Sequence, residues 1–283
     1  MNLARIKALS MMVCALCKVQ RVTYTKLVAA FDSNAASGSS LRRIQRLIAQ
    51  CEISTDLIAK LILKLIPVQG PYNLTLDRTK WKFSDTNINI LTLGIIYDGM
   101  AFPIVFKMMD KRGNSNTRER IDLINRFIRL AGENSIKHLD GIYYVNGQAC
   151  YLSGSKIKDK EGKPELQILV SYCNAEEALE MYKLRWQVET MFKGMKSSGF
   201  DIEGSHVRDQ SRMSNLFAII MIAYVWCYLV GIYIHQNIKP ITVLKHKRKA
   251  VSLFKYGLDY IFQCPRLYYC HKLIQVFDYL SCT

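Results

Sequence analysis

The chain has 283 residues, half of them apolar, and a net charge of +16 with a sequence pI near 9.4. The apolar half supplies a sizeable core for one large or two smaller domains, and the charge points to a polyanion: DNA, RNA or an anionic membrane surface. Nine cysteines, an odd number with no signal-peptide pattern before them, argue against a disulfide framework and for reduced thiols in the cytosol.

The first stretch, 1–67, reads as helical. Ile6, Leu9, Val13 and Leu16 recur at helical spacing, and a second segment follows Val22 with Leu27, Ala30 and Phe31. Cys14 and Cys17 form a lone C-x-x-C, a weak zinc signal without a second pair, and Cys270-His271 is no stronger. Small polar residues from Ser33 to Ser39 predict a loop. Ser40 is the expected cap of a helix with Leu41, Ile44, Leu47 and Ile48 inside and Arg42, Arg43 and Arg46 outside. A helix-turn-helix-like DNA reader fits this text, and so does an ordinary basic helical bundle. Thr55 is the expected cap of a further apolar helix ending before Pro67.

The texture changes at Pro67 to Pro71, which predicts a domain boundary. Asn73 to Thr79 reads as a short strand ending at Asp77. Ile88–Tyr97 and Met100–Phe106 read as a hairpin turned by Asp98-Gly99. A polar loop from Asp110 leads to a helix capped by Asn116 or Thr117, with Ile121, Ile124, Phe127 and Ile128 on its inner face. Ser135–Leu139 looks like a further strand, running straight into Asp140-Gly141. Strands are expected at 143–152, with an Asn146-Gly147 turn, and at 166–173, around a charged loop from Lys158 to Lys163. Asn174 then starts a helix, helped by Glu176 and Glu177 near its positive end.

On that helix Tyr182, Arg185, Glu189 and Lys196 fall within about 60° of one another, while Leu184, Val188, Met191 and Met195 lie on roughly the opposite face. Two readings are open for the polar stripe. One is a solvated, salt-bridged face. The other is a metal-binding carboxylate beside a phosphate-holding phenol, guanidinium and ammonium. Farther on, Leu216–Ile234 carries no charge and is long enough to span a bilayer. A buried core helix is the expectation here, because the rest of the chain offers no second span. Lys245–Lys249 is a basic cluster, and the last thirty or so residues read as apolar, aromatic helix.

The spacing of Tyr182, Arg185, Glu189 and Lys196 resembles the Y-R-E-K signature of the IS4 group of DDE transposases. Leu76-Asp77-Arg78-Thr79 resembles the segment that carries the family's first catalytic Asp, and Asp110–Ser115 is similar to a further family block. The resemblance implies an α/β fold: an RNase H-like mixed sheet with flanking helices, preceded by an all-helical N-terminal DNA-binding region. It implies a catalytic domain over 68–236, with a shortened β insertion around 140–173, and a C-terminal helical segment over 237–283. In such folds the first Asp sits on the first strand. The second ends a fourth strand, parallel to and beside the first, and the Glu comes from a later helix. The resemblance therefore implies Asp77 and Glu189 as catalytic and metal-binding residues. It also implies Tyr182, Arg185 and Lys196 on a DNA phosphate, and Arg42, Arg43 and Arg46 on DNA.

Two Mg²⁺ ions are expected by family, with Mn²⁺ able to substitute. The expected partners are transposon ends and target DNA, with a homodimer on DNA, a cytoplasmic, nucleoid-associated location and no membrane. The Asp-Arg-Glu-Phe block of the family is absent, which implies an internal deletion joining near Leu139/Asp140 and an impaired transposase. Asp140 is the candidate to replace the missing carboxylate, with a shorter strand before it and Gly141 where Arg would stand, and Asp110 lies where the family's catalytic residues are not found. A DNA-binding remnant without catalysis and a membrane protein anchored by 216–234 are the rival readings.

Overall fold

The computed structural model describes residues 3–31, 35–133, 135–140, 151–158, 164–171, 186–245 and 249–263. Four helices come first: α1 (Leu3–Val19), α2 (Tyr24–Ala30), α3 (Ser37–Gln50) and α4 (Thr55–Leu65). The apolar repeat of α1 is its buried face, with Ile6, Leu9, Val13 and Leu16 all inside. Two expected caps are corrected. Helix α3 begins at Ser37, so Ser40 lies within it and is buried beside Ile44, Leu47 and Ile48. The buried stripe continues one turn upstream, and packing outweighs the weak helix propensity of Ser and Gly. The cap of α4 is Ser54, whose hydroxyl accepts from the Leu57 N–H. The Thr55 hydroxyl instead takes a hydrogen bond from Arg126.

The sheet follows: β1 (Tyr72–Phe83), β2 (Thr86–Tyr97), β3 (Met100–Met108) and β4 (Ile136–Asp140), in the order β3-β2-β1-β4. β1 is antiparallel to β2 and parallel to β4, which makes the sheet mixed and RNase H-like. The Asp98-Gly99 turn is as expected. Both residues have positive φ (45° and 76°), the geometry a tight two-residue hairpin needs and Gly99 adopts without strain. β1 does not end at Asp77. It runs six residues further and pairs with β2 as far as Phe83↔Thr86, closing a second hairpin with Ser84 at φ 52°. Helix α5 (Thr117–Ala131) has the expected Asn116 cap, completed by Glu119 into a capping box. Its buried residues are Leu123 and Phe127. Ile121 is exposed, so the inner stripe is rotated from the expected one.

Strands β5 (Tyr151–Lys158) and β6 (Pro164–Ser171) form a separate antiparallel pair. The Asn146-Gly147 turn, most of the charged 158–163 loop, the Asn174 helix start, Cys270-His271 and the chain after 263 lie outside the described residues. Helix α6 is described over 186–195. A 3₁₀ turn (Ile202–Ser205) leads to α7 (Gln210–Asn237), and α8 (Leu253–Gln263) follows.

Helix α7 is apolar all round, the pattern of a helix enclosed by protein. It is long enough to cross a membrane, yet 83% of its most apolar stretch is buried inside the fold. It touches α1, α3, α4, α8 and β3. Phe217 meets Phe106 edge-on, Tyr228 meets Phe102 edge-on, and Tyr224 stacks on Phe254 of α8 at 4.6 Å. The α7–α8 crossing is made of backbone. A Cβ on Gly231 would stand 1.9 Å from the Leu253 carbonyl oxygen, and one on Gly257 would stand 1.8 Å from that of Cys227. Cys17 of α1 and Cys227 of α7 place their Sγ atoms 3.5 Å apart in the core, and burial pushes the Cys17 thiol well up, which keeps it protonated.

Two polar devices fasten the N-terminal helices to the rest. Asn215 of α7, buried, donates from Nδ2 to the Ile48 and Cys51 carbonyls (2.9 and 2.7 Å), and its Oδ1 accepts from the Ile53 N–H (3.4 Å). Arg126 of α5 donates to Asp56 and Thr55 of α4 and to the Phe106 carbonyl of β3.

Replacing Asn215 by Ala should strand those buried backbone groups, at about 1–3 kcal/mol for each group left unsatisfied, read as a lowered urea midpoint. Gly257→Ala should destabilise by about 1–3 kcal/mol or more through overpacking, with a matching drop in thermal midpoint.

Candidate functional site

Asp77 stands in the middle of β1, which pairs with β2 from Asn73 to Phe83 and with β4 from Tyr72 to Thr75. Its Cα partner on β2 is Thr92. On the other side Thr75, two residues before Asp77, pairs with Asp140, the last residue of β4. The two aspartates are therefore on adjacent parallel strands, two register positions apart. This is the strand arrangement expected for the first and second acidic positions of an RNase H-like core.

Side chains alternate along a strand, so Thr75, Asp77, Thr79 and Trp81 share one face of β1. Thr92, directly opposite Asp77, is on that face too. Asp77 is half-buried, while Thr75 and Thr92 are fully buried, and their hydroxyls have no hydrogen-bond partner among the described residues. The opposite face receives α5, where Tyr72 meets Phe127 edge-on.

Helix α6 buries Val188, Met191, Phe192 and Met195, which leaves Glu189 exposed on the other side. Trp186, one turn earlier, is 70% exposed, although sequence reasoning gave it no role. Lys196, just past the helix end, reaches β1. Its Nζ lies 5.2 Å from the centre of the Trp81 ring and 3.4 Å from the Lys80 carbonyl oxygen, and it pairs with Glu203 at 2.7 Å. The end of α6 therefore sits on the Asp77 face of β1. Tyr182 and Arg185 lie outside the described residues. Arg42, Arg43 and Arg46 are exposed on α3, away from this sheet.

The loop after β3 is bound to the back of the site. Arg78, on the face opposite Asp77, donates to the Gly113 carbonyl and to Asn114 Oδ1 (3.1 and 2.6 Å). Asn89 Nδ2 donates to the Lys111 and Gly113 carbonyls. Asp110 accepts from Gln210 of α7 at 3.1 Å, a fastening role rather than a place beside Asp77. Lys111 pairs with Glu119 at 2.7 Å. Partial burial pushes the Glu119 carboxyl up. Hydrogen bonds from Lys111 and the Asn116 backbone, with the charges of Lys111 and Lys107, outweigh it and hold the group below its usual value. Sequence reasoning missed this clamp. The alternation that puts Arg78 behind Asp77 was the available signal.

Carboxylates on a sheet and a helix are hard oxygen donors suited to Mg²⁺ or Mn²⁺. Among the described residues, no three acidic, imidazole or thiol groups gather as a metal cluster. The donors that fit such an ion are Asp77, half-buried on the sheet, and Glu189, exposed on α6.

A mixed β3-β2-β1-β4 sheet with an Asp in mid-β1, flanked by helices, is an RNase H-like core. Residues 66–226 match the family described as Transposase DDE domain, and that span is more than half of the chain. The protein belongs to the DDE transposase family. No protein of curated function matches it.

Because the Glu119 carboxyl is held low in the fold, its stabilisation is complete above the ordinary Glu range and is lost as pH falls through the depressed value. Glu119→Gln should therefore lower the urea midpoint at pH 7, and the gap from the parent protein should close as the pH is taken below about 4.

Proposed function

We propose that this protein is an IS4-type DDE transposase with an impaired catalytic centre. Its reaction is hydrolysis of a phosphodiester at the transposon end, followed by attack of the freed 3′-hydroxyl on target DNA. The observation that carries this reading is the register of β4 on β1, with Asp140 ending the strand beside Asp77, inside the span that matches the family.

In this reading Asp77, Glu189 and Asp140 hold the Mg²⁺ ions, for which Mn²⁺ can substitute. When bound, such ions supply Lewis-acid activation of the attacking water. The Asp77 carboxylate is well suited to fixed geometry, because Asp77 pairs with Thr92 of β2 and β4 joins its strand two residues earlier, at Thr75. Lys196 gives further support. From Lys80, at Lys196, back to Asp77 is about 10 Å of strand. From Lys196 back to Glu189 is about 10 Å of helix. Equal runs on one face of the sheet suit a shared site for the two carboxylates.

Tyr182, Arg185 and Lys196 form the Y-R-E-K stripe that holds a phosphate of the transposon end. For that role Lys196 exchanges Glu203 for the phosphate. The helical region 1–67 recognises the end sequence, the catalytic domain spans 68–236 with a shortened insertion around 140–173, and 237–283 forms a C-terminal segment. The paired ends call for a homodimer on DNA, in the cytoplasm at the nucleoid and not at a membrane.

Impairment follows from the sequence at the join. Asp140 is followed by Gly141 where the family has Arg, in place of the Asp-Arg-Glu-Phe block, consistent with an internal deletion. The guanidinium that follows the family's second Asp in sequence is therefore missing, and metal-assisted attack is sensitive to displacements of about 1 Å.

The test uses duplexes copied from the DNA flanking the gene, with cleavage and binding scored in the same samples in Mg²⁺ and Mn²⁺. Slow cleavage is expected, abolished by Asp77→Ala, Glu189→Gln and Asp140→Asn, with end binding retained. Binding with no cleavage by the parent protein would instead establish the DNA-binding remnant.

A further inference from the structure

The first 51 residues contain eight lysines and arginines against a single aspartate, Asp32. Helix α3 gathers part of this charge between two clefts. One, of about 540 Å³, lies against α1 and is lined by Arg5, Lys7, Arg43 and Arg46 over an apolar floor. The other, of about 340 Å³, lies on the opposite side of α3 and is lined by Tyr24, Arg42, Gln45, Arg46 and Arg212. Arg46 and Gln50 border both, and among the described residues no carboxylate lines either.

Arg212 comes from a distant part of the chain. It is in the first turn of α7, within the span that matches the DDE family, whereas Arg42 and Arg46 precede that span. Its placement is fixed by the fold. One turn further along α7, Asn215 is hydrogen-bonded into the end of α3 and the link to α4, so Arg212 cannot drift from the α3 face. Arg212 lines the same cleft as Tyr24 of α2.

We propose that Arg212 joins Arg42 and Arg46 in one phosphate-binding track for duplex DNA, so that a single DNA contact bridges the N-terminal helices and the buried helix of the DDE core. This rests on the DNA-binding reading above and names the surface. Guanidinium forks suit phosphate oxygens, and a helix width of about 10 Å faces on the order of six duplex charges. An anionic membrane fits less well. The exposed face of α3 is Arg42, Arg43, Gln45, Arg46, Ala49 and Gln50, without the large apolar residues an interfacial helix inserts.

The test is fluorescence anisotropy of the full chain with the flanking duplex and an unrelated duplex of equal length, titrated with salt. Arg212→Gln and Arg46→Gln should each weaken binding of both duplexes alike and reduce the salt slope by about 1. Arg212→Lys should keep most of the slope. Lys60→Gln, on the exposed side of α4, controls for lost net charge, and circular dichroism confirms that each variant is folded. Parent-like affinity and slope in Arg212→Gln, or an effect no larger than that of Lys60→Gln, would overturn the track and leave DNA binding standing. A parent protein that binds no duplex, or prefers phosphatidylglycerol vesicles, would overturn both.

Discussion

A buried backbone must find partners for its polar groups, and at the centre of this molecule one side-chain amide provides them. Asn215 lies in the apolar run of α7, where a polar residue is costly unless fully satisfied. Its donors close the carbonyls where α3 ends, and its acceptor takes the amide that leads into α4. The N-terminal helices are thus seated on the core helix in one orientation. Arg126 makes a second fastening through α4, α5 and β3. Apolar packing around α7 supplies affinity between these layers, and the two polar devices supply the register.

The sheet side of the fold follows the same division. Asp77 is held by the β1–β2 ladder, and β4 joins the same strand two residues earlier, up to Thr75. Behind it, Arg78 and Asn89 bind the 110–116 loop to the sheet. In front, Lys196 brings the end of α6 onto the Asp77 face through Trp81 and the Lys80 carbonyl. The neighbouring strand β4, the loop after β3 and the end of α6 each have their own attachment to β1 or β2.

What the sequence disclosed was chiefly local. The Asp98-Gly99 turn and the Asn116 cap depend on a few consecutive residues, so both were legible. The DDE family, expected from the sequence, is borne out by the match over 66–226. Ser40 and Thr55 were misread as caps because the first turn of a helix is set by what its neighbours bury. The β1–β2 hairpin was missed because Phe83-Ser84-Asp85-Thr86 lacks the glycine that usually marks such a turn. Lys196 was expected on a phosphate stripe, but its contacts with Trp81 and the Lys80 carbonyl arise between segments remote in sequence. The same is true of Arg212, which in sequence is only a charge at the start of an apolar helix.

The facing thiols of Cys17 and Cys227 have a consequence for the seam between α1 and α7. At 3.5 Å their sulfurs are farther apart than the roughly 2.05 Å of a disulfide, and both are sealed from solvent. Neither a thiol reagent nor an oxidant can reach them while the helices stay packed. Their reactivity is therefore governed by how often the seam parts. The pair is a built-in clock for the opening of the contact between the first helix and the core.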